Sequence, residues 1–242
     1  MFLRFILYIT LFLFCISNAC AEVKIGIVYY NPPFIINKYE GFDLTLMNTL
    51  CKRMKLKCTF VRMGEQQLFP ALENRTIDLA ISGIVISPQR EETYLFSLPY
   101  LLNHGVFVVP PQSNLQHISD LKGKFVGVKN NQDDSVFGEY LQFKFSNQFQ
   151  IKQYDTTEDM FRDLENGFLD AAFAHQEIVN YWYENGFARF KIIDRPHLVG
   201  YGIGIVGLPD KQDLINNINK ELLEIDKTDF YLNLYKTYFG NQ

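Results

Sequence analysis

Arg90 follows a run of small and β-branched residues, SGIVISPQ, and stands before two acids, Glu91 and Glu92. A guanidinium group presents a planar fork of N–H donors that matches a carboxylate in a bidentate manner. Arg90 is therefore a candidate for holding an acidic group of a ligand. The alternative is that Arg90 caps a helix or pairs with Glu91 or Glu92 at the surface, a common fate of arginine in a charged loop.

The remaining groups that could take part in chemistry are scattered along the chain. The histidines are His104, His117, His175 and His197. They complete neither a Ser/His/Asp order nor a set of metal ligands, and the chain carries no phosphate-binding glycine loop. We therefore expect no metal, no cofactor and no enzymatic activity.

The amino terminus predicts an exported protein. Residues 1–21, MFLRFILYITLFLFCISNACA, combine one charge at Arg4, a long apolar run and a small-residue end. This pattern predicts a signal peptide cleaved after Ala21. A lipoprotein acylated at Cys20 is disfavoured, because Ser17 stands where such a motif wants an aliphatic residue. An uncleaved anchor is disfavoured because the apolar stretch is short for a membrane span.

The charge balance argues against polyanionic partners. The chain has 23 Lys and Arg against 27 Asp and Glu, a formal net charge of -4, and the leader removes only Arg4. A mildly acidic chain gives no indication of nucleic acid or of an anionic membrane surface as a partner.

Cleavage of the leader leaves two cysteines, Cys51 and Cys58, in LCKRMKLKCTF. An even pair in an exported chain predicts a local disulfide. Two reduced, buried cysteines are the alternative. A metal site is disfavoured because no histidine lies near these cysteines in sequence.

Strand and helix patterns alternate in two similar units, which predicts an α/β fold. In the first unit we predict strands at 23–30, 58–63 and 77–86, with helices at 41–54, opened by Asp43, and at 66–74. In the second unit we predict strands at 124–129, 149–155 and 169–175, with helices at 135–145 and 156–167.

Two extended segments, VFVVP and LVGYGIGIVG, suit a pair of crossover strands between these units. Two helices, 211–227 and 229–239, should fold back on the first unit. We expect lobe I at residues 22–104 and 199–242, and lobe II at residues 105–198. Ligand would bind in the cleft where strand ends of both lobes meet.

Five stretches together resemble the periplasmic solute-binding proteins of the polar amino-acid ABC-transporter type. They are PPFI…GFDLTLMNTLCKRMKLKCTF, FPALENRTIDLAISGIVISPQREETYLFSLPY, LKGKFVGVK, LENGFLDAAFAH and YGIGI…LINNINKELLEI…YLNLYKTYFG. The resemblance covers essentially the whole chain after residue 21. It implies the type II periplasmic-binding-protein fold, with a mostly parallel sheet flanked by helices in each lobe and two hinge crossover strands. Cys51 and Cys58 fall where lysine/arginine/ornithine- and histidine-binding members carry a disulfide.

The resemblance assigns a carboxylate site. It implies that Arg90 holds the α-carboxylate of the ligand, that Val85 adds its backbone N–H, and that Gly83 keeps the chain close to the ligand. A second contact is expected from the turn after Lys129, where relatives direct amides at the carboxylate. Here the amide of Asp133 is the candidate, while its carboxylate should cap the following helix. Lys129 itself aligns with a lysine that glutamine-binding relatives keep in the cleft; an exposed lysine at a strand end is the alternative.

The amine end of the site departs from the family. Relatives hold the α-ammonium with an acid at the end of a strand in the second lobe, where this chain has His175, and often with another at the place of Val28. A neutral imidazole accepts a hydrogen bond but does not supply the charge-assisted bond of a carboxylate. Either the ligand lacks a standard α-ammonium or another acid has taken over.

Glu65 is the predicted replacement acid, because it lies on the short loop where relatives present a side wall to the ligand. A solvated glutamate at a helix start is the alternative. Asn31 replaces the tyrosine that stacks on the ligand in relatives that bind cationic amino acids. Phe34 is a candidate lining residue, with a core aromatic as the alternative.

We therefore predict the extracytoplasmic solute-binding component of an ABC transporter. It would be a periplasmic monomer that closes on an amino acid or related small carboxylate and is then recognised by a membrane permease. One alternative is a periplasmic enzyme similar to cyclohexadienyl dehydratases, with Glu65 and His175 as the proton-transfer pair. Another is a ligand-sensing binding protein with a ligand that is not an amino acid.

Overall fold

The computed structural model describes residues 22–129 and 136–240, so the predicted leader lies outside the described residues. The helices are α1 (Phe42–Arg53), α2 (Leu68–Glu73), α3 (Pro88–Glu91), α4 (Val136–Lys144), α5 (Thr157–Glu165), α6 (Gln176–Glu184), α7 (Gln212–Asp226) and α8 (Asp229–Phe239). The strands are β1 (Glu22–Val28), β2 (Lys57–Met63), β3 (Leu79–Ala80), β4 (Leu95–Phe96), β5 (His104–Val109), β6 (Phe125–Lys129), β7 (Gln150–Tyr154), β8 (Ala171–His175), β9 (Lys191–Leu198) and β10 (Val206–Gly207). Among these helices, none is both long and apolar enough to cross a membrane.

The strands form two sheets of the same plan. The first has the order β2-β1-β3-β10-β4 and the second the order β7-β6-β8-β5-β9. In each sheet the first three strands of the order pair in parallel, and one strand, β10 in the first sheet and β5 in the second, runs antiparallel to both of its neighbours. The predicted α/β architecture with two lobes is confirmed.

The strand predicted at 77–86 is wrong in its length, since the sheet retains only Leu79 and Ala80. Just beyond it, the Ser82 hydroxyl accepts the N–H of Val28 at 3.0 Å. Gly83 then adopts a φ of 67°, which turns the chain away from the strand direction. Residues 82–86 therefore form a loop at the carboxyl edge of the first sheet. Helix α6 and strand β9 are further elements that the sequence pattern did not predict.

The first crossover lies before the predicted segment, because the VFVV part of VFVVP belongs to β5 of the second sheet. The chain crosses instead at Asn103, a fully buried residue. Its side-chain amide donates to the Val199 carbonyl at 2.8 Å, and its carbonyl accepts the Val199 N–H at 3.0 Å. The two crossing segments are thus hydrogen-bonded to each other between the sheets.

The carboxyl-terminal helices pack on the first lobe, as predicted. The ring of Phe42 at the start of α1 lies 4.7 Å from that of Phe239 and contacts Tyr231 and Tyr238 edge-on. Phe42 is fully buried in this aromatic cluster. The Tyr231 hydroxyl also donates to the carbonyl of Tyr100, which ties α8 to the segment leading into the crossing.

The predicted disulfide between Cys51 and Cys58 is confirmed, and it joins α1 to the start of β2 across a separation of 7 residues. A short loop of this kind restricts the unfolded chain by about 2.5 kcal/mol. Replacing both cysteines by alanine is therefore expected to lower the free energy of unfolding in urea by about 2–3 kcal/mol. Reductant should destabilise the wild type equally and leave the double variant unchanged; a double variant as stable as the wild type would contradict this.

Candidate ligand-binding site

A cavity of about 500 Å³ lies between the two sheets and is lined from both. This volume is typical of small-molecule sites. The cavity brings together most of the predicted site residues: Arg90, Val85, Gly83, Lys129, His175, Asn31 and Glu65. Asp133 lies outside the described residues.

Arg90 is only 5% exposed and therefore does not lie at the surface. It sits on the single turn of α3, where Pro88 starts the turn and the Ser87 hydroxyl accepts the Arg90 N–H at 3.3 Å. Its Nη1 donates to the Val85 carbonyl at 2.8 Å, and its guanidinium lies 5.0 Å from the centre of the Phe69 ring. These contacts hold a cation in the cavity wall.

The backbone of Val85 faces the cavity because its neighbours face the other way. The Ile84 carbonyl accepts the N–H of Gly204 at 3.0 Å, and the Ile86 N–H donates to the Gly202 carbonyl at 2.8 Å. Backbone groups alternate in direction along an extended segment. The N–H and the carbonyl of Val85 therefore both point to the side on which Arg90 lies. A carboxylate on that side faces two donors, the Val85 N–H and the Arg90 guanidinium.

Gly83 is held by an acid that the sequence pattern had placed at a helix start. Asp43 is fully buried, and its carboxylate accepts the Gly83 N–H at 2.6 Å and the Tyr100 hydroxyl at 2.8 Å. It does not cap α1, whose N-cap is Gly41. Burial raises the pKa of Asp43 to about 7, although both hydrogen bonds act to lower it.

The raised pKa of Asp43 predicts a specific pH dependence of stability. The protonated form contributes on the order of 4 kcal/mol, fully present below the unfolded pKa of 3.8 and lost as pH rises through about 7. Asp163 and Asp194 act in the opposite sense, because hydrogen bonds from Tyr154 and His117 lower their pKa values.

Comparison with Asp43→Asn isolates this contribution. In urea unfolding from pH 5 to pH 8, the wild type should lose about 2–3 kcal/mol relative to the variant. Parallel pH profiles for the two proteins would contradict the assignment.

Lys129 and Glu65 meet across the cavity. Lys129 ends β6 in the second sheet, Glu65 follows β2 in the first, and their Nζ and Oε2 atoms lie 2.6 Å apart. The side chains are 23% and 31% exposed, so this is a half-buried ion pair between the lobes. Glu65 does stand at the start of a short 3₁₀ turn, Glu65–Gln67, but its carboxylate is paired with Lys129.

His175 ends β8 in the cavity wall and is 5% exposed. Its Nδ1 lies 2.6 Å from a carboxylate oxygen of Glu177, which is equally buried. Sequence reasoning missed Glu177, although an acid in the first turn of a helix two residues after a cavity strand end is a signal that could have identified it.

Asn31 and Phe34 differ in their relation to the cavity. Asn31 lines it and donates from its side chain to the Ser82 carbonyl at 3.1 Å. Phe34 is fully buried and packs behind the wall, 5.1 Å from the His175 ring and against Gly83. Phe34 therefore packs against residues of the cavity wall, but it is not one of the described lining residues. Further lining residues that the sequence did not indicate are Phe69, Glu73 and Tyr94.

Comparison with known protein families identifies the family of this chain. The model of the bacterial extracellular solute-binding proteins, family 3, matches residues 23–241. The chain belongs to this family. The predicted resemblance and the predicted solute-binding function are thereby confirmed.

Similar solute-binding proteins agree with this placement over nearly their whole length. ABC transporter arginine-binding protein 1 of Escherichia coli K12 is 31% identical over 231 residues, which span 92% of this chain and 93% of that protein. The arginine-binding periplasmic protein of Mannheimia haemolytica is 27% identical, over 97% and 98% of the two chains.

A crystal structure supports the same assignment of the fold. An arginine 3rd transport system periplasmic binding protein from Legionella pneumophila superposes with a TM-score of 0.81 at 32% identity. The match covers 90% of this chain and 99% of that one. The family is therefore supported by sequence and by structure over the same span.

Proposed function

We propose that the protein is the solute-binding component of an ABC transporter for cationic amino acids, with L-arginine as the foremost ligand. The observation that carries this proposal is the buried Arg90 in the inter-lobe cavity of a family 3 solute-binding protein. The named binding specificity of the similar proteins from Escherichia coli, Mannheimia haemolytica and Legionella pneumophila points to arginine.

The carboxylate of the ligand meets Arg90. The guanidinium is fixed by Val85 and Phe69 before ligand arrives, so little side-chain entropy is lost on binding. The Val85 N–H offers a further donor on the same side. Gly83 brings the backbone close to the ligand, and the amide of Asp133 remains a proposed second contact. Water is largely excluded at this wall, which strengthens the ion pair.

The cationic side chain of the ligand meets the acidic, aromatic part of the cavity. Glu73 lines it and accepts the Tyr94 hydroxyl at 2.5 Å. Phe69 adds a ring face, which attracts a guanidinium. Glu65 already faces Lys129, so Glu73 is the acid assigned to the side chain.

Ligand binding closes the cleft about the crossings at Asn103 and Val199. Lobe I, residues 22–104 and 199–242, carries Arg90, and lobe II, residues 105–198, carries Lys129 and His175. The ion pair of Lys129 with Glu65 joins the lobes across the cavity. A membrane permease then recognises the closed monomer in the periplasm, after cleavage of the leader at Ala21.

The enzymatic alternative has no support in the site. It required Glu65 and His175 to act together in proton transfer, but each has its own close partner, Lys129 and Glu177. The curated relatives described above are binding proteins by name. We therefore assign no reaction to this cavity.

A thermal-shift screen tests the proposal on protein that has been unfolded and refolded to remove carried-over ligand. L-Arginine at a hundredfold excess over its dissociation constant should stabilise by about 2.7 kcal/mol. Agmatine, which lacks the carboxylate, should give little shift, as should acidic and apolar amino acids. A shift with amine-free carboxylic acids in place of any amino acid would contradict the proposal.

A further inference from the structure

A second hollow, of about 790 Å³, is lined by both lobes and shares no described lining residue with the ligand cavity. Lobe I contributes residues 98–102 and 104 and parts of α7 and α8, and lobe II contributes the start of α6 and Pro196. We call this hollow the second groove. Its volume lies in the range of small-molecule sites. None of its residues takes part in the proposed binding of L-arginine.

The second groove carries negative charge without a matching cation. Its described lining includes two acids, Glu177 and Asp226, but no lysine or arginine, and its one basic side chain is His104. Neither acid forms an ion pair with a lysine or arginine anywhere in residues 22–129 and 136–240. A hollow lined in this way attracts cations and repels anions.

Glu177 is a buried carboxylate of this groove that lacks a hydrogen-bond donor. Its side chain is 5% exposed, and its Oε2 accepts no hydrogen bond in the part of the chain that the structure describes. Nδ1 of His175 lies 2.6 Å from Oε2, but this nitrogen accepts the Glu177 N–H at 3.4 Å. A buried carboxylate without a donor or a counter-ion is costly. We therefore expect its partner to come from a bound molecule.

Two tyrosines of α8 show that the charge of Glu177 acts on the groove. Tyr231 and Tyr235 both line it. Burial raises the pKa of the Tyr235 hydroxyl, and the negative charge of Glu177 raises that pKa further. Burial also raises the pKa of Tyr231, with smaller contributions that include the charges of Asp226 and Glu177. Tyrosine rings beside carboxylates are a favourable surface for a cation.

The rest of the groove offers apolar surface. Leu98, Leu102 and Leu223 line it and are 42%, 57% and 54% exposed. Exposed leucines grouped at one hollow favour an apolar partner. A buried acid together with exposed leucines matches a molecule that has one cationic group and an apolar body.

We propose that the second groove binds a small organic cation, whose ammonium group meets Glu177 and the rings of Tyr231 and Tyr235. The apolar body of this molecule covers the exposed leucines. Asp226, which is exposed, adds negative charge at the rim. The site does not depend on Arg90 or on which amino acid fills the ligand cavity, so one chain binds both molecules at once.

Calorimetric titration tests the site. Refolded, ligand-free protein is saturated with L-arginine, or with the amino acid that the thermal-shift screen selects, so that the ligand cavity is occupied. The probe is 2-phenylethylammonium, compared with the neutral 2-phenylethanol and the anion phenylacetate. One cation should bind per chain, 2-phenylethanol should bind at least about tenfold more weakly, and phenylacetate should give no measurable heat.

Two arginine substitutions locate the site, whether or not the ligand cavity is filled. Leu223→Arg places a cation and added bulk at the rim and should weaken 2-phenylethylammonium at least about tenfold. Leu232→Arg is the matched control, because Leu232 is 50% exposed on α8 but does not line the groove. It should leave the affinity for the cation within about twofold. Both variants should bind L-arginine like the wild type, since neither residue lines the ligand cavity.

Glu177→Gln tests the buried charge itself. It should weaken 2-phenylethylammonium about tenfold. Glu184→Gln, at the other end of α6 and outside the described lining of the groove, should not change the affinity.

Several results would overturn the inference. One is equal binding of the cation and 2-phenylethanol, and another is a folded Glu177→Gln or Leu223→Arg protein that binds the cation like the wild type. Absence of binding up to about 10 mM of the cation would overturn it as well. Cation binding that is intact in a protein that does not bind L-arginine would support the second site and contradict the proposed function instead.

Discussion

Arg90→Ala is expected to weaken L-arginine binding by about 3 kcal/mol, or roughly 150-fold in dissociation constant. The variant leaves the ligand carboxylate in a water-poor cavity without its main donor. The Val85 carbonyl also loses the hydrogen bond from Nη1. Arg90→Lys keeps the charge but loses the planar fork, and should fall between the wild type and the alanine variant. Calorimetry on refolded, ligand-free protein gives both values.

Arg75→Ala is the matched control for Arg90. Arg75 forms an ion pair of 2.6 Å with Asp210, but the two side chains are 66% and 44% exposed. Exposed pairs contribute little, so its removal should leave affinity within about twofold. Thermal unfolding of each ligand-free variant verifies that it is folded. An Arg90→Ala protein that is folded and binds L-arginine like the wild type would remove Arg90 from the site.

Gly83→Ala is expected to cost about 2–4 kcal/mol of stability and to impair binding at the same time. Its φ of 67° is unfavourable for any residue with a Cβ atom, and that atom would lie 2.8 Å from the ring of Phe34. Phe34 cannot easily move, because it is fully buried and packs between the rings of His175 and Phe239. The displaced loop would carry Val85 away from Arg90.

Gly123→Ala separates the cost of a Cβ atom at positive φ from the cost of its contact with Phe34. Gly123 has a φ of 76°, but an added Cβ would meet no atom within 4 Å. It should therefore cost only about 1 kcal/mol in urea unfolding and leave L-arginine affinity unchanged. Equal losses of stability in the two variants would show that contact with Phe34 contributes nothing.

The two-lobed fold could be predicted from the sequence because its elements carry local patterns. Helix α1 has an apolar face, and the helices and strands recur in the same order in both units. The loop of residues 82–86 was mistaken for strand because its run of apolar residues resembles a buried strand. What ends the strand is a tertiary contact, the hydrogen bond from Val28 to Ser82, which no local pattern reveals.

The site was predictable where one residue acts alone and less so where two act together. Arg90 lines the cavity, where the resemblance to the family implied that it would lie, and its contacts with Ser87 and Val85 are local in sequence. Glu65 was expected to replace a missing acid, but its partner Lys129 comes from the other lobe, 64 residues away. Asp43 was assigned to a helix start, although its contacts are with Gly83 and Tyr100. Contacts between residues that are distant in sequence can be identified only when the fold is known.

Calorimetric titration of the ligand-free wild type with L-arginine, in parallel with agmatine, tests the central claim most directly. The account predicts binding of one L-arginine per chain with a dissociation constant in the micromolar range or below, and no measurable heat of binding with agmatine. Absence of binding by L-arginine, or equal binding of agmatine, would contradict the claim that Arg90 anchors an amino acid through its carboxylate.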